Sequence, residues 1–405
     1  MKRNGNRWLA LLMVLAMVLA LTACGGTSGT TDQNQGAGQQ SDAQQQTQEP
    51  AGEPSQEDYD GKLVSEGMMP LDYAKNFQIE LFQGGYRMIT AGTLTDLQYL
   101  VVPEGMSVPE DLAENVVVLQ QPLTNVYMAS TGMVSLTDAI GALDHVKLVA
   151  TDVDGWYIDN VVAEMNAGNI AFSGHYKEPD YELMAANDIQ FHLDTTMIEG
   201  CPEVLEKFTE LGIPNMVENS SKENHPLARV EWVKLLGVLF NKEAEAQTYF
   251  DEQKALLESA SGAESTGKTV AMGYITSTGK CYARNGGDYM AQMIDMAGGQ
   301  YILADMEPEK SGNSNMTFEE WYAGFKDADC LFYINFAYGF NSIQEMIDYN
   351  PLFADFKSVQ NGNVWVTSAD FTQSTAAIAS IVADMNTILA AADGDVTTDH
   401  LIKLS

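Results

Sequence analysis

The sequence predicts an α/β protein of two lobes, each with a mainly parallel sheet flanked by helices, joined by one long rigid helix. Three observations carry that expectation. Strand-then-helix patterns alternate on both sides of residues 224–257. Within that stretch Leu227, Val230, Val233, Leu236, Phe240, Ala244 and Phe250 recur at helical spacing behind Pro226, which suits a first helical position. Finally, residues 182–193 and 319–334 echo one another: an acid, a short apolar helix, a polar turn with Asp, then an apolar strand. The two lobes therefore read as similar units.

At the start of the chain, Lys2, Arg3 and Arg7 precede an apolar run over residues 8–21, the pattern of an export signal occupying residues 1–23. The run closes on Leu21-Thr22-Ala23-Cys24, which resembles the bacterial lipobox and makes Cys24 the expected lipidation site, with palmitate among the acyl groups. A plain transmembrane anchor is the alternative, and the shortness of the run speaks against it. Either way the protein is extracytoplasmic and held to the cell membrane. Residues 24–67 are expected to be a disordered tether, because 25–57 contain no large apolar residue to offset the entropy of ordering.

The formal net charge of −35 excludes the basic footprint of a nucleic-acid-binding protein. It favours solubility and repulsion from anionic surfaces. Beyond Cys24 the cysteines are Cys201, Cys281 and Cys330, with no CxxC pair; a Cys281–Cys330 disulfide and buried free thiols both remain open.

The N-terminal lobe, residues 68–223, opens with strands at 77–81, 86–90, 98–102 and 116–119 that form an accessory sheet or the entry to the lobe. Its main strands fall at 125–130, 147–150, 170–172, 189–193 and 213–217, with helices between them. Ligands bind beyond the carboxyl ends of such strands, so Thr131, Trp156, Tyr157, His175 and Thr195 are candidates. The adjacent aromatics Trp156 and Tyr157 either meet a ligand or pack on the lobe surface. Residues 224–260 are the joining helix, roughly 50 Å long if straight, either one rod or two nearly collinear ones, with Gly237 and Asn241 as the kink points. In the C-terminal lobe, 261–405, a strand at 269–274 leads to an exposed loop with Tyr282 and Arg284 and then a helix over 287–297. Strands at 329–335 and 364–367 are followed by Tyr338 and Phe371, and a helix over 375–391 closes the pattern.

The chain resembles, over about residues 77–391, the substrate-binding lipoproteins of bacterial ABC importers, in the helical-backbone group that serves ferric siderophores, haem and cobalamin. IGALDHV, PDYELMAANDIQFHL, LEKFTELGIPNMV, HPLARVEWVKLLGVLFNKEAEA, DYMAQMIDMAGGQYI and TQSTAAIASIVADMNTIL carry the resemblance by their order and spacing. Where the family has Pro-Asp before a strand, this sequence has Asn187-Asp188 and Ala328-Asp329.

The resemblance implies a monomeric receptor, without a resident cofactor, that captures a ferric siderophore or ferric citrate in an inter-lobe cleft and delivers it to an ABC permease and its ATPase. Arg284 is then the first candidate for the cation facing an anionic chelate and Arg229 the second, Arg229 having the alternative of pairing with Glu231 or Glu218. Trp156, Tyr157, Tyr338 and Phe371 would be flat walls. Cobalamin and haem are alternative ligands of the same fold, haem with His175 or Tyr176 as the axial group. Direct capture of zinc or manganese would need convergence among His145, His175, His192, His225 and His400. Docking to permease arginines is assigned to Glu182 and to Glu319, or Glu320 one residue on. No GxSxG elbow, phosphate loop, dinucleotide glycine fingerprint or HExxH occurs, and no enzyme is expected.

Overall fold

The computed structural model describes residues 61–92, 96–261, 265–391 and 396–405. The export signal, Cys24 and most of the tether lie outside the described residues. The first sheet comprises β1 (Ser65–Met68), β2 (Phe77–Phe82), β3 (Arg87–Ala91), β4 (Gln98–Val102) and β5 (Val116–Gln120) in that spatial order, antiparallel except for β4 beside β5. One face, with Phe77, Ile79, Ile89 and Tyr99, joins the main core; the other buries Phe82, Tyr86, Leu100 and Val102 in a cluster of its own. Alternation along β2 and β3 thus serves two cores, as a period of two requires.

The second sheet is wholly parallel, in the order β10 (Asn215–Glu218), β9 (Phe191–Thr195), β6 (Val126–Met128), β7 (Val146–Val149), β8 (Ala171–Phe172). Helices α1 (Thr131–Ala139), α2 (Asp159–Ala167), α3 (Tyr181–Ala186) and α4 (Pro202–Glu210) connect its strands. Strands β6 and β9 are buried along nearly their whole length, which is the pattern of a sheet covered on both faces.

After the joining segment, the third sheet has the parallel centre β11 (Thr269–Ile275), β15 (Cys330–Tyr333) and β16 (Val364–Thr367). Antiparallel strands extend it: β12 (Cys281–Arg284) and β14 (Asn313–Met316) on one side, β17 (Leu401–Lys403) on the other, while β13 (Gln300–Tyr301) pairs the start of β11. Helices α8 (Tyr289–Met296), α9 (Phe318–Phe325), α10 (Ile343–Tyr349), α11 (Lys357–Gln360) and α12 (Ile378–Ala390) flank it. The α/β class with flanked, parallel-rich sheets is as the sequence predicts. Cys201, Cys281 and Cys330 are buried free thiols, so Cys281 and Cys330 are not bridged; burial pushes the Cys281 thiol up to about 11.

The joining segment corrects the expected geometry. It is helical, but neither one rod nor two collinear ones. Trp232 separates α5 (Pro226–Glu231) from α6 (Val233–Phe240), and Asn241, at φ 56° and ψ 46°, ends α6 in the left-handed conformation that Asn tolerates better than most residues. Helix α7 (Glu243–Ser261) then folds back along α5 and α6. A Cβ added at Gly237 would lie 2.7 Å from the Ala246 Cβ, and Lys234 Nζ sits 4.4 Å from the Phe250 ring centroid. On a straight helix those pairs would be roughly 13 Å and 24 Å apart along the axis. Gly237 permits the close approach, and Asn241 makes the turn.

Two buried acids tie the first sheet to this helical hairpin. Glu231 accepts hydrogen bonds from the backbone N–H groups of Asp72, Tyr73 and Ala74, each at 2.8 Å, and pairs with Lys234 Nζ at 2.9 Å. Glu223 accepts from Lys75 N at 3.0 Å, Asn76 N at 2.9 Å and Trp232 Nε1 at 3.3 Å. Five consecutive amides that lack a strand partner are thereby satisfied. Tyr73 stacks on His225 with centroids 4.4 Å apart, closing the same joint.

A cavity at the strand ends between the sheets

A cavity of about 290 Å³ opens where the carboxyl ends of β11 and β15 face the loop after β10 and helix α5. Ser221 and Arg229 border it from one side, and Tyr274, Arg284, Asp288, Tyr289 and Phe336 from the other. Its deeper lining includes Met290, Met293, Ile334 and Ile378, and the 3-10 segment Phe371–Ala377 closes one end through Phe371, Thr372, Ser374 and Thr375. This is the place where a parallel sheet presents polar and aromatic side chains to a ligand.

Asp288 organises the polar wall. It is 1 % exposed and caps α8 by accepting from Met290 N at 3.0 Å. Its Oδ1 also accepts from Arg284 Nε at 2.9 Å and lies 2.7 Å from Arg284 Nη2; its Oδ2 accepts from Gly312 N at 2.7 Å and Ser311 Oγ at 3.2 Å. Arg284 Nη1 donates to Asn313 Oδ1 at 2.6 Å. Burial works against the Arg284 charge, but the carboxylate of Asp288 and the nearby Tyr289 outweigh it, and the pKa is raised. Arg284 is thus a bound, charge-compensated guanidinium.

Arg229 differs. It donates from Nη1 to the carbonyl of Ser221 at 3.2 Å, and its guanidinium lies 4.1 Å from the Tyr289 ring centroid. Its Nε is buried without a hydrogen-bond partner. The acids the sequence offered as its partners are engaged elsewhere: Glu231 by the amides of residues 72–74 and by Lys234, Glu218 by Ser130 Oγ at 2.9 Å and Ser220 N at 2.7 Å. Among the described residues Arg229 thus lacks the carboxylate partner that Arg284 has.

A group of aromatic rings borders the same cavity. Tyr274 stacks on Tyr282 at 5.0 Å with planes 12° apart, and Phe336, 57 % exposed, lies 5.0 Å from Tyr274. Burial raises the Tyr274 pKa while Arg284 opposes it.

Of the sequence candidates, Arg229, Arg284 and Phe371 line the cavity, and Tyr282 backs its wall. The others fall elsewhere. Trp156 is buried in the main core, because the turn Val153–Gly155 swings its indole inward to donate to Thr151 O at 2.9 Å. Tyr157 stays exposed, its N–H held by Gln373 Oε1 at 2.9 Å while Gln373 Nε2 donates to Gly155 O at 2.7 Å. Thr131 opens α1, where Gly132 packs beneath Thr375. His175 is exposed beside Tyr176, Thr195 caps the turn Thr196–Gly200, and Tyr338 packs on Phe340 and Tyr349. Tyr274, Asp288, Tyr289 and Phe336 line the cavity without being among the sequence candidates. Tyr274 and Phe336 stand at strand ends, a signal that was there to be read. Asp288 reads as nothing more than a helix cap until Arg284 is seen against it.

Glu182 and Glu319 are both exposed in the first turns of α3 and α9. Glu320 is engaged in a capping box: its Oε2 accepts from Thr317 N at 2.9 Å and Thr317 Oγ1 at 3.0 Å, which lowers its pKa. Among the described residues no three His, Cys, Asp or Glu side chains converge as a metal site would need. Nor is any helix among them long and apolar enough to cross a membrane.

No family model matches the chain. It is 29% identical over 272 residues to an uncharacterized lipoprotein of Methanocaldococcus jannaschii, a match covering 65% of this chain and 64% of that relative. The chain thus spans less than two thirds of the relative's length. Among solved structures it is similar to a possible iron-binding, periplasmic solute-binding protein of Staphylococcus epidermidis, with TM-score 0.52, 14% identity, and coverage of 65% of this chain and 97% of that one. It is also similar to a periplasmic heme binding protein of Pseudomonas aeruginosa, with TM-score 0.54, 13% identity, and coverage of 70% and 98%. At such identities the likeness concerns the fold, which is the two-lobed fold of periplasmic solute-binding proteins.

Proposed function

We propose that this chain is an extracytoplasmic, lipid-anchored solute-binding protein that captures an iron chelate in the cavity at Arg229 and hands it to an ABC permease. The observation that supports this reading best is a cation with no carboxylate partner among the described residues, set against the Tyr289 ring, at the strand ends of a solute-binding fold. A guanidinium whose buried Nε lacks a hydrogen-bond partner carries a desolvation penalty that an anionic oxygen of a chelate would relieve. Tyr274, Tyr289 and Phe336 supply the flat, polarisable contacts that an organic chelate presents surface for. Lipidation at Cys24 and docking through Glu182 and Glu319 belong to the same reading and rest on the sequence resemblance.

A haem reading loses both axial candidates named from sequence, since neither His175 nor Tyr176 lines the cavity. Cobalamin, which requires walls more than cations, stays as the second reading on the strength of the aromatic rings. Thermal unfolding of the purified protein with a ferric trihydroxamate, ferric citrate, haem and cyanocobalamin separates these. A true ligand at a hundred times its Kd stabilises by about 2.7 kcal/mol. Stabilisation by a ferric chelate that Arg229→Gln reduces more than tenfold in affinity is the expected result. Stabilisation by cyanocobalamin alone would replace the iron reading with the second one.

A further inference from the structure

Two guanidinium groups and one carboxylate face the same cavity, and the way they pair dictates what charge a ligand there can carry. We infer that Asp288 is a specificity-determining residue: by cancelling Arg284 it leaves one effective positive charge, at Arg229, and restricts the site to ferric chelates that are neutral or singly anionic. The inference rests on the iron-chelate reading and deepens it.

Asp288 is not a side chain that can swing aside for a ligand. It is almost fully buried, and its two oxygens accept from α8, from the backbone and hydroxyl of the 311–312 loop, and from two nitrogens of Arg284. A Coulomb field falls off with distance, and two opposite charges less than 3 Å apart act on a third group a few ångströms away as little more than a dipole. Arg284 keeps hydrogen-bonding capacity toward the cavity, but no net charge.

Arg229 is held by a carbonyl and a ring face, neither of which neutralises it. A ligand placing one anionic oxygen on it leaves nothing unpaired. A polyanion would bring further charges into a cavity whose second guanidinium is already cancelled, leaving them no uncompensated cation. The chain's formal charge of −35 works in the same direction, lowering the local concentration of polyanions before they reach the cleft.

The test uses the full chain and two probes, a neutral ferric trihydroxamate and a trianionic ferric tris-catecholate, titrated into wild type, Asp288→Asn, and the paired change Arg284→Gln with Asp288→Asn. Wild type is expected to prefer the trihydroxamate by about tenfold or more. Asparagine caps a helix as well as aspartate does, so Asp288→Asn keeps the α8 cap through its one oxygen and releases the Arg284 charge, while giving up the bonds that Oδ2 accepts from Gly312 N and Ser311 Oγ. It should narrow or reverse the preference by about tenfold. The paired change removes both charges, restores the single unpaired cation, and should return the wild-type order. An unchanged ratio in folded Asp288→Asn, or a shift in the paired variant as large as in the single one, overturns the assignment. So does a wild-type preference for the trianion, which decides the matter even if Asp288→Asn does not fold. If wild type binds neither ferric chelate, the iron-chelate reading falls first; if it binds both in an order indifferent to Asp288, only the charge assignment falls.

Discussion

Asp329 stands just before β15 and joins three parts of the third sheet. Its Oδ2 accepts from Thr269 N at 2.8 Å and Thr269 Oγ1 at 2.9 Å, and its Oδ1 pairs with Lys357 at 2.6 Å. Burial raises its pKa, but Lys357 and Thr269 prevail and hold it below the ordinary 3.8. A carboxyl depressed on folding contributes stability that is fully present above its unfolded pKa and is lost as the pH falls through its folded one. The loss for Asp329 therefore lies below about pH 4. Asp329→Asn should cost about 1 kcal/mol at neutral pH and flatten the stability curve in that acid window; denaturant unfolding at pH 7 and pH 3 measures both. Equal losses at the two pH values would mean that its charge contributes nothing. The same scale explains why sequence leaves Trp156 and Tyr157 between contact with a ligand and packing. Two adjacent aromatics after a strand look alike in the chain, and only a local turn decides that Trp156 faces the core while Tyr157 faces solvent.

Among the elements, the joining hairpin is where local pattern and global geometry part. Apolar spacing marks helix through residues 226–261, and it says nothing of the angle between segments. Gly237 decides that angle, since any side chain there meets Ala246 and the backbone of Lys242 and Glu243. Gly237→Val should force α6 and α7 apart, losing about 1–3 kcal/mol, whereas Asn241→Gly should be nearly neutral because glycine accepts a positive φ. Chemical denaturation of the two variants checks this, and a Gly237→Val protein as stable as wild type would contradict the packing described. The strands fared better than the joining helices. Those expected at 98–102 and 116–119 match β4 and β5 to within a residue, because runs such as QYLVV bounded by turn residues leave few other options.

At the scale of the whole molecule, the proposed delivery to a permease would require that both lobes present something to it at once. Glu182 and Glu319 have the right character: each is exposed, each lies in the first turn of a short helix leading into a strand, and the two helices stand at corresponding places in the second and third sheets. Glu320 is tied into its capping box, which favours Glu319 as the docking acid. Glu182→Ala with Glu319→Ala should leave chelate affinity within about twofold and abolish uptake. The intact protein's uptake should weaken with added salt, since exposed pairs are screened over about 10 Å at 0.1 M. Unimpaired transport by the double variant would remove these acids from the interface.

What the chain determines by itself are features that depend on near neighbours: the α/β alternation, most strand positions, the helix starts marked by Pro226 and Thr317, and the tendency of Asn241 to break a helix. Periodicity and capping act over a few residues, so they can be read there. Which post-strand residues turn toward the cavity is a matter of packing between lobes, and of the ten ligand-binding candidates only Arg229, Arg284 and Phe371 line it. The pairing of charges is less legible still. Arg284 and Asp288 are four residues apart in the chain, yet their contact requires β12 to end where α8 begins and the 311–312 loop to close over both. Glu231 does not compensate Arg229 because residues two apart on a helix point to different faces, and Glu231 is held by the amides of residues 72–74. Electrostatic partners are assigned by distance in space, and that distance exists only once the tertiary structure has formed.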